Sequence, residues 1–304
     1  MKIAVLGPGG VGGLVAGALA RAGTPTIVVA RESTAELIAQ RGLRVSSVRL
    51  GDFSTHPRTS VRLAEPVDAL VVATKATGLG GALERVETSP PLVLPLLNGL
   101  DHLAVLRARF GEAGAVLAGT IRVEADRPQP GVVVHTSPFL RVDMASHDPA
   151  ARPGMEALAA TLEAAGIPAR VRDSEPQVMW GKLVRLNALA CTTSAFDKLL
   201  GEIRSTPELR AELIGAIEEG CAVANAEGAE IDASDPLGEL AEAHATLGSS
   251  MQRDIAAGRT PELDAIPGAV LRAAARHGID CPTIERLVAL IAARAAVPAP
   301  VVAG

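Results

Sequence analysis

The stretch KIAVLGPGGVGGLVAGALARAGTPTIVVA at the start of the chain leaves few choices of fold. A short β-branched run stops at Gly7, a run of helical period follows at once, and a second strand-like run follows that, which is the pattern of a βαβ unit. The glycines therefore fall in the turn from strand to helix. Gly7, Gly9 and Gly12 make GxGxxG, and in this setting such glycines permit the tight turn, the approach of backbone to a pyrophosphate, and close packing of helix on strand. Gly10 and Val11 complete the turn, and all five residues are candidates for binding a dinucleotide.

Three further strand-like runs, DALVVATK, PLVLPLLN and GAVLAGT, continue the alternation and predict a parallel, doubly wound sheet. RVEADRPQPGVVVHTSPFLRVDMA reads as an antiparallel continuation turning at Pro130 and Gly131, followed by a helix in ARPGMEALAATLEAAG and a strand in PARVRD. Strand signals stop near Glu175. Beyond it, ELRAELIGAIEEGCAVANAEG, DPLGELAEAHATLGSSMQRDIAAG and PELDAIPGAVLRAAARHG carry apolar residues at three- and four-residue spacing and end on glycines suited to C-caps. The expected architecture is α/β: a Rossmann-type domain over residues 1–174 and an all-helical domain over residues 175–304. The tail AVPAPVVAG has little to bury and is expected to fray.

Composition narrows the partners. With 29 basic and 34 acidic residues, the formal charge is −5, with both signs interspersed, which argues against a nucleic-acid surface and for a small-molecule ligand. Cys191, Cys221 and Cys281 are odd in number and widely spaced, so neither a disulfide framework nor a zinc site is suggested, and the six histidines show no HExxH spacing, so no metal is expected. The first apolar run breaks on GPGG and no run reaches the ~18 residues of a membrane span. No membrane association and a cytoplasmic location are the expectation.

Polar residues at strand and helix ends are the candidates for a site. Arg31 follows the second strand where an acid usually receives the ribose 2′-hydroxyl, and a guanidinium there suits a 2′-phosphate; Glu32 is the alternative if the strand ends one residue later. Lys75 and Asn98 close two other strands, at the end where open α/β sheets bind ligands, although Asn98-Gly99 is also a hairpin signal and Lys75 could be a solvated strand-end lysine. Thr260-Pro261-Glu262 has the form of a helix start, with Glu262 facing the positive end of the dipole, and Ser250 could be an ordinary polar residue near a helix end. Lys182 interrupts the apolar helix MWGKLVRLNALAC; burying a lone ammonium costs several kcal/mol unless a partner or ligand offsets it, so it either snorkels, forms an ion pair, or serves a reaction.

VLGPGGVGG, ATKA, LLNGL, PGVVVH, MWGKL, SSMQRD, GRTPELDAI and HGIDCP stand in the order and at the spacings of the ketopantoate reductases, which the chain resembles over nearly its whole length. The resemblance implies NADPH-dependent reduction of a 2-keto acid in a cleft between a Rossmann domain and a helical domain, a step of pantothenate biosynthesis, with a homodimer as one form left open. It implies Lys182 as general acid, Glu262 as its partner and ligand of the substrate hydroxyl, Ser250 and Asn98 as substrate contacts, and Lys75, Asn98, Arg31 and the glycines around the cofactor. The chain departs from that family where asparagines usually stand four and eight residues after the lysine: here they are Leu186 and Ala190, and Asn187, one position on, points roughly 140° away from Lys182 on a straight helix. Loss of two amides suits a more apolar 2-keto acid and favours, as one alternative, a different 2-keto, 2-hydroxy or imino acid as substrate. The other alternative is a sensor that binds NADP(H) without catalysis, which keeps the glycines and Arg31 but has no need of Lys182 and Glu262.

Overall fold

The computed structural model describes residues 1–112 and 114–302. They fall into two units, Met1–Leu97 with His102–Val178, and Asn98–Asp101 with Met179–Gly304. The four-residue excursion at Asn98 is not foreshadowed by any composition change along the chain.

The first unit is built on a six-stranded sheet in the order Arg58–Ser60, Thr26–Val29, Ile3–Leu6, Ala69–Val72, Leu92–Pro95, Ala115–Val116, every pair parallel. The strands Ile3–Leu6, Thr26–Val29, Ala69–Val72 and Leu92–Pro95 are buried at every residue, which is why they read as unbroken apolar runs and not as alternations. Successive side chains still go to opposite faces: Ile3 and Val5 join the core with Leu14 and Leu19 of the helix Gly10–Arg21, whereas Ala4 and Leu6 join Leu106 and Phe110 of the helix His102–Phe110. The chain leaves Ile3–Leu6 toward one neighbour and later returns to its other side with Ala69–Val72, so the carboxyl ends of these two strands mark the switch in strand order.

The segment read as one antiparallel continuation is divided between two smaller sheets. Ala125–Gln129 and Val132–His135 form the expected hairpin, with Gly131 at φ 76°, but Val132–His135 then pairs in parallel with Leu43–Ser47, which pairs with Phe53–Thr55. Arg141–Ala145 instead lies between Ala118–Arg122 and Ala169–Val171.

The second unit is helical from Met179, within the 22-residue helix Glu175–Phe196, onward, and its core draws on Trp180, Leu183, Ile217, Val270 and Ile284. All three cysteines are unpaired and buried; burial pushes the Cys221 thiol up to about 11 and Cys281 to about 12, so neither is a nucleophile at neutral pH. The run 235–258, expected as one helix, is two, Ser234–Glu242 and Ser250–Ala256. Its middle is committed elsewhere: the Leu247 and Ala245 carbonyls accept from the Leu200 and Gly201 amides that open another helix, at 2.9 and 2.8 Å, and the Leu240 and Ala243 carbonyls accept from Arg204 at 2.8 and 2.9 Å. The expected fraying of the tail is not borne out throughout: Val297 packs on the core and the Val301 carbonyl accepts from Arg272 at 3.5 Å. No described helix is long and apolar enough to cross a membrane.

Candidate active site

In the glycine turn, each glycine has a different reason. Gly7 has φ 91° and a side chain there would strike Thr74, one residue before Lys75. A Cβ on Gly12 would overlap the Gly7 carbonyl, and one on Gly10 would overlap the Ala125 carbonyl, so Gly10 answers to the neighbouring hairpin. Gly9 is the exception. An added Cβ would meet nothing nearer than the Ala73 carbonyl oxygen at 4.0 Å, and its φ of −76° suits any residue. Packing within the chain does not require a glycine there, whereas close approach of a phosphate from outside does. The helix that follows has no side-chain cap and no acidic residue in its first turn. Val11 lies half-buried in that first turn.

Arg31 is exposed, two residues beyond the strand Thr26–Val29, in extended backbone, and Glu32, also exposed, opens the next helix. Lys75, exposed and extended, precedes a single 3-10 turn, Ala76–Gly78, beyond the strand Ala69–Val72.

The second unit brings three of the candidates into one chain of hydrogen bonds. Lys182 Nζ donates to Asn98 Oδ1 at 2.9 Å, and Asn98 Nδ2 donates to Glu262 Oε2 at 3.0 Å. Lys182 is half-buried on a helix whose neighbours Trp180, Leu183 and Val184 are core residues, and Glu262 is 8% exposed. The hairpin reading of Asn98-Gly99 and the helix-cap reading of Glu262 both fail here. Gly99 has φ 83°, and a Cβ on it would overlap the Ala265 carbonyl, so the glycine lets residues 98–101 lie backbone against backbone on the segment after Glu262. That segment is no ordinary helix start. Pro267 has no amide to give the Leu263 carbonyl, which accepts instead from Gly268 at 3.1 Å, five residues on, and Asp264–Gly268 becomes a π turn ahead of the helix Ala269–His277. Glu262 stands before this turn, in irregular backbone.

Ser250 is exposed in the first turn of Ser250–Ala256 and is not a member of the Lys182–Asn98–Glu262 chain. Its neighbour Ser249 is the capping residue, accepting from Gln252 N at 3.0 Å and from Thr193 Oγ1 of the lysine helix at 2.9 Å. Ser249 was not expected in this role, although Ser at a helix start is the cue. Leu186 is half-buried and Ala190 is buried. Asn187 makes no hydrogen bond to Lys182, in keeping with its angle on the helix; it is fully buried, with its oxygen accepting from the Cys191 thiol at 3.4 Å and its amide nitrogen without a hydrogen-bond partner among the described residues.

The family description "Ketopantoate reductase PanE/ApbA" matches residues 3–148, and "Ketopantoate reductase PanE/ApbA C terminal" matches residues 176–295. The chain belongs to the ketopantoate reductase family. It is thereby an oxidoreductase of a pyridine-nucleotide-dependent family. Among relatives of this family member, a 2-dehydropantoate 2-reductase of Halobacterium salinarum is 30% identical over 298 residues, covering 96% of this chain and 98% of that one. One of Mycobacterium tuberculosis is 31% identical over 303 residues, covering 96% and 97%. Among solved structures, a 2-dehydropantoate 2-reductase of Geobacter metallireducens superposes with TM-score 0.87 at 27% identity, covering 96% and 99%. A D-mandelate dehydrogenase with NADH and anilino(oxo)acetate shares the fold with TM-score 0.88 at 21% identity, covering 97% and 98%.

Proposed function

We propose that the protein reduces 2-dehydropantoate to pantoate with NADPH, and that Lys182 supplies the proton. The observation that carries this reading is the hydrogen-bonded chain from Lys182 through Asn98 to Glu262, in a chain of the ketopantoate reductase family. NADPH, when bound, supplies the hydride. Gly7, Gly9, Gly10, Val11 and Gly12 would hold its pyrophosphate, and Gly9, the glycine that packing leaves unexplained, fits that task. Arg31 would pair with the 2′-phosphate through charge-assisted bonds, and Lys75 stands at the same edge of the sheet.

As the carbonyl carbon is reduced, alkoxide character develops on the oxygen. The Lys182 ammonium stabilises that charge and donates the proton to that oxygen. Asn98 holds Nζ through its side-chain oxygen and keeps a second amide hydrogen for substrate. Glu262, held by the Asn98 amide through Oε2, keeps acceptor capacity for a substrate hydroxyl, and Ser250 is a further substrate contact in this reading.

A second reading, reduction of a bulkier and more apolar 2-keto acid, is favoured by Leu186 and Ala190 on the lysine-bearing face of the helix. Steady-state reduction of 2-dehydropantoate and of aliphatic and aromatic 2-keto acids, with NADPH and with NADH, decides between them. Turnover of 2-dehydropantoate with the highest kcat/KM of the panel supports the first reading, and an aromatic acid above it establishes the second. Absence of turnover with every acid, despite NADPH binding, would leave a nucleotide sensor.

A further inference from the structure

We propose that Arg272 is a positioning residue that clamps the Asn98 segment to the Glu262 segment and so sets the geometry of the Lys182–Asn98–Glu262 chain. Arg272 lies on Ala269–His277, the helix that continues from the π turn. One terminal nitrogen donates to Asp101 Oδ2 at 2.5 Å and to the Asp264 carbonyl at 2.9 Å, and the other donates to Asp264 Oδ1 at 2.8 Å. Asp101 is three residues after Asn98, at the end of the same four-residue segment, and Asp264 is two residues after Glu262. A single guanidinium thus ties together the two stretches of backbone that carry the two ends of the Asn98–Glu262 hydrogen bond.

The tie has a second fixed point. Gly99 and the Ala265 carbonyl are packed so closely that no Cβ fits between them. With backbone contact at one place and the guanidinium at another, the two segments have little freedom to slide or pivot. A fork of fixed geometry suits this task, because it reaches two carboxylates and a carbonyl at once, whereas a lysine would offer a point charge on a flexible stem. The Arg272 side chain is only 22% exposed, although Asp101 and Asp264 are largely exposed, so the clamp is sheltered on its cationic side. Asn98 has to meet an ammonium with its oxygen and a carboxylate with its nitrogen simultaneously, and a displacement of roughly 1 Å at such a group can cost about 10²-fold in rate.

The consequence for turnover rests on the reading of Lys182 as proton donor; the consequence for geometry does not. The experiment is a double-mutant cycle of Arg272→Ala with Asn98→Ala, with Arg272→Lys and Asp101→Asn alongside, reading kcat and KM for ketone reduction, NADPH affinity by fluorescence, and the Asn98–Glu262 distance by crystallography. The expected result is a loss of about 10-fold or more in kcat for Arg272→Ala, with NADPH affinity unchanged, little recovery in Arg272→Lys, and at most about a 2-fold further loss when Arg272→Ala is added to Asn98→Ala. Equal losses in both backgrounds would make Arg272 a mere stabiliser of the fold and overturn the proposal. If Arg272→Ala does not fold, Asp101→Asn, which alters only one exposed end of the clamp, takes its place in the cycle, and the same two outcomes sustain or overturn the clamp. If the wild type reduces no 2-keto acid, the functional reading falls while the clamp is judged by the crystals. Asn98 moved out of hydrogen-bond reach of Glu262 in Arg272→Ala sustains it, and an unchanged bond overturns it.

Discussion

Asn98 presents an acceptor on one side and donors on the other, and its neighbours dictate which faces which. The Lys182 ammonium can only donate and the Glu262 carboxylate can only accept, so oxygen toward Nζ and nitrogen toward Oε2 is the one orientation that satisfies both. Asn98→Asp keeps the shape and destroys this match, because a carboxylate would face the Glu262 carboxylate unless one of the pair holds a proton. The expected outcome is a loss of about 10- to 100-fold in kcat near neutral pH, recovered in part as pH falls, read from a pH–rate profile against wild type; the size follows from ~1–3 kcal/mol for a disrupted buried polar contact. Leu186 gives a test of substrate. On a straight helix it lies one turn from Lys182 on the same side. Leu186→Asn should raise kcat/KM on 2-dehydropantoate and lower it on an aromatic 2-keto acid, while a fall on both would show that Leu186 serves only the core against which it packs.

At the level of elements, the legible parts were those whose residues act on their near neighbours. The fully buried strands, the hairpin at Pro130-Gly131 and the end of strand signals near Glu175 can all be read from runs and turn residues a few positions apart. The strands Phe53–Thr55 and Arg58–Ser60 could not be read, because each is three residues long and partly exposed, so neither has an apolar run or an alternation to betray it. The π turn was hidden behind Thr260-Pro261-Glu262, a good local helix start overruled by Pro267 a few residues on. Of the candidate site, Lys182 stands out as a charge in an apolar helix and the resemblance adds a role for it and for Glu262, while the role of Asn98 as the bridge rests on contacts 84 and 164 residues away in the chain, which no local pattern encodes. Gly99 shows how strongly such a contact constrains an element: Gly99→Ala combines a positive φ with a clash on the Ala265 carbonyl and should cost at least about 1–3 kcal/mol, measured by denaturant unfolding, with activity lost in the protein that remains folded. His135 offers a pH test on the Val132–His135 strand. Ser137 gives its proton to the Phe139 carbonyl at 2.7 Å, so His135 Nε2 donates to Ser137 and Nδ1 accepts from Ser47 at 2.7 Å, while Ser47 already accepts from Leu50 N at 2.9 Å. Burial holds this imidazole below its ordinary pKa, and protonating Nδ1 would forfeit the Ser47 bond. The unfolded chain therefore binds this proton more readily than the folded one. Stability should be fully present above the ordinary imidazole pKa and decline as pH falls through and below it, and His135→Gln should flatten that decline in urea midpoints measured across the range.

For the whole molecule, the residues proposed for the cofactor and those proposed for the proton belong to separate units, each with a core of its own: the glycine turn, Arg31 and Lys75 in the first, Lys182, Asn98, Ser250 and Glu262 in the second. This division makes the two tasks separable by mutation. Arg31→Ala should weaken NADPH and leave NADH nearly untouched, erasing most of any preference between them in kcat/KM, because it removes a charge-assisted contact to a phosphate that NADH lacks. Lys182→Ala should bind NADPH almost normally and lose about 10²–10⁴ in kcat from the missing acid. Arg31 and Lys182 belong to different units and to different tasks, so the losses should multiply in the Arg31→Ala, Lys182→Ala protein. Lys182 and Glu262 share Asn98, so Lys182→Ala with Glu262→Ala should be little worse than the poorer single variant. Wild type, the three single variants and the two double variants, assayed for ketone reduction with both nucleotides and for nucleotide affinity by fluorescence, separate these outcomes. An unchanged nucleotide preference in Arg31→Ala would move the ribose contact to Glu32. Multiplying losses for Lys182 and Glu262 would mean that the two act on different steps, with Asn98 holding them in place without coupling their chemistry.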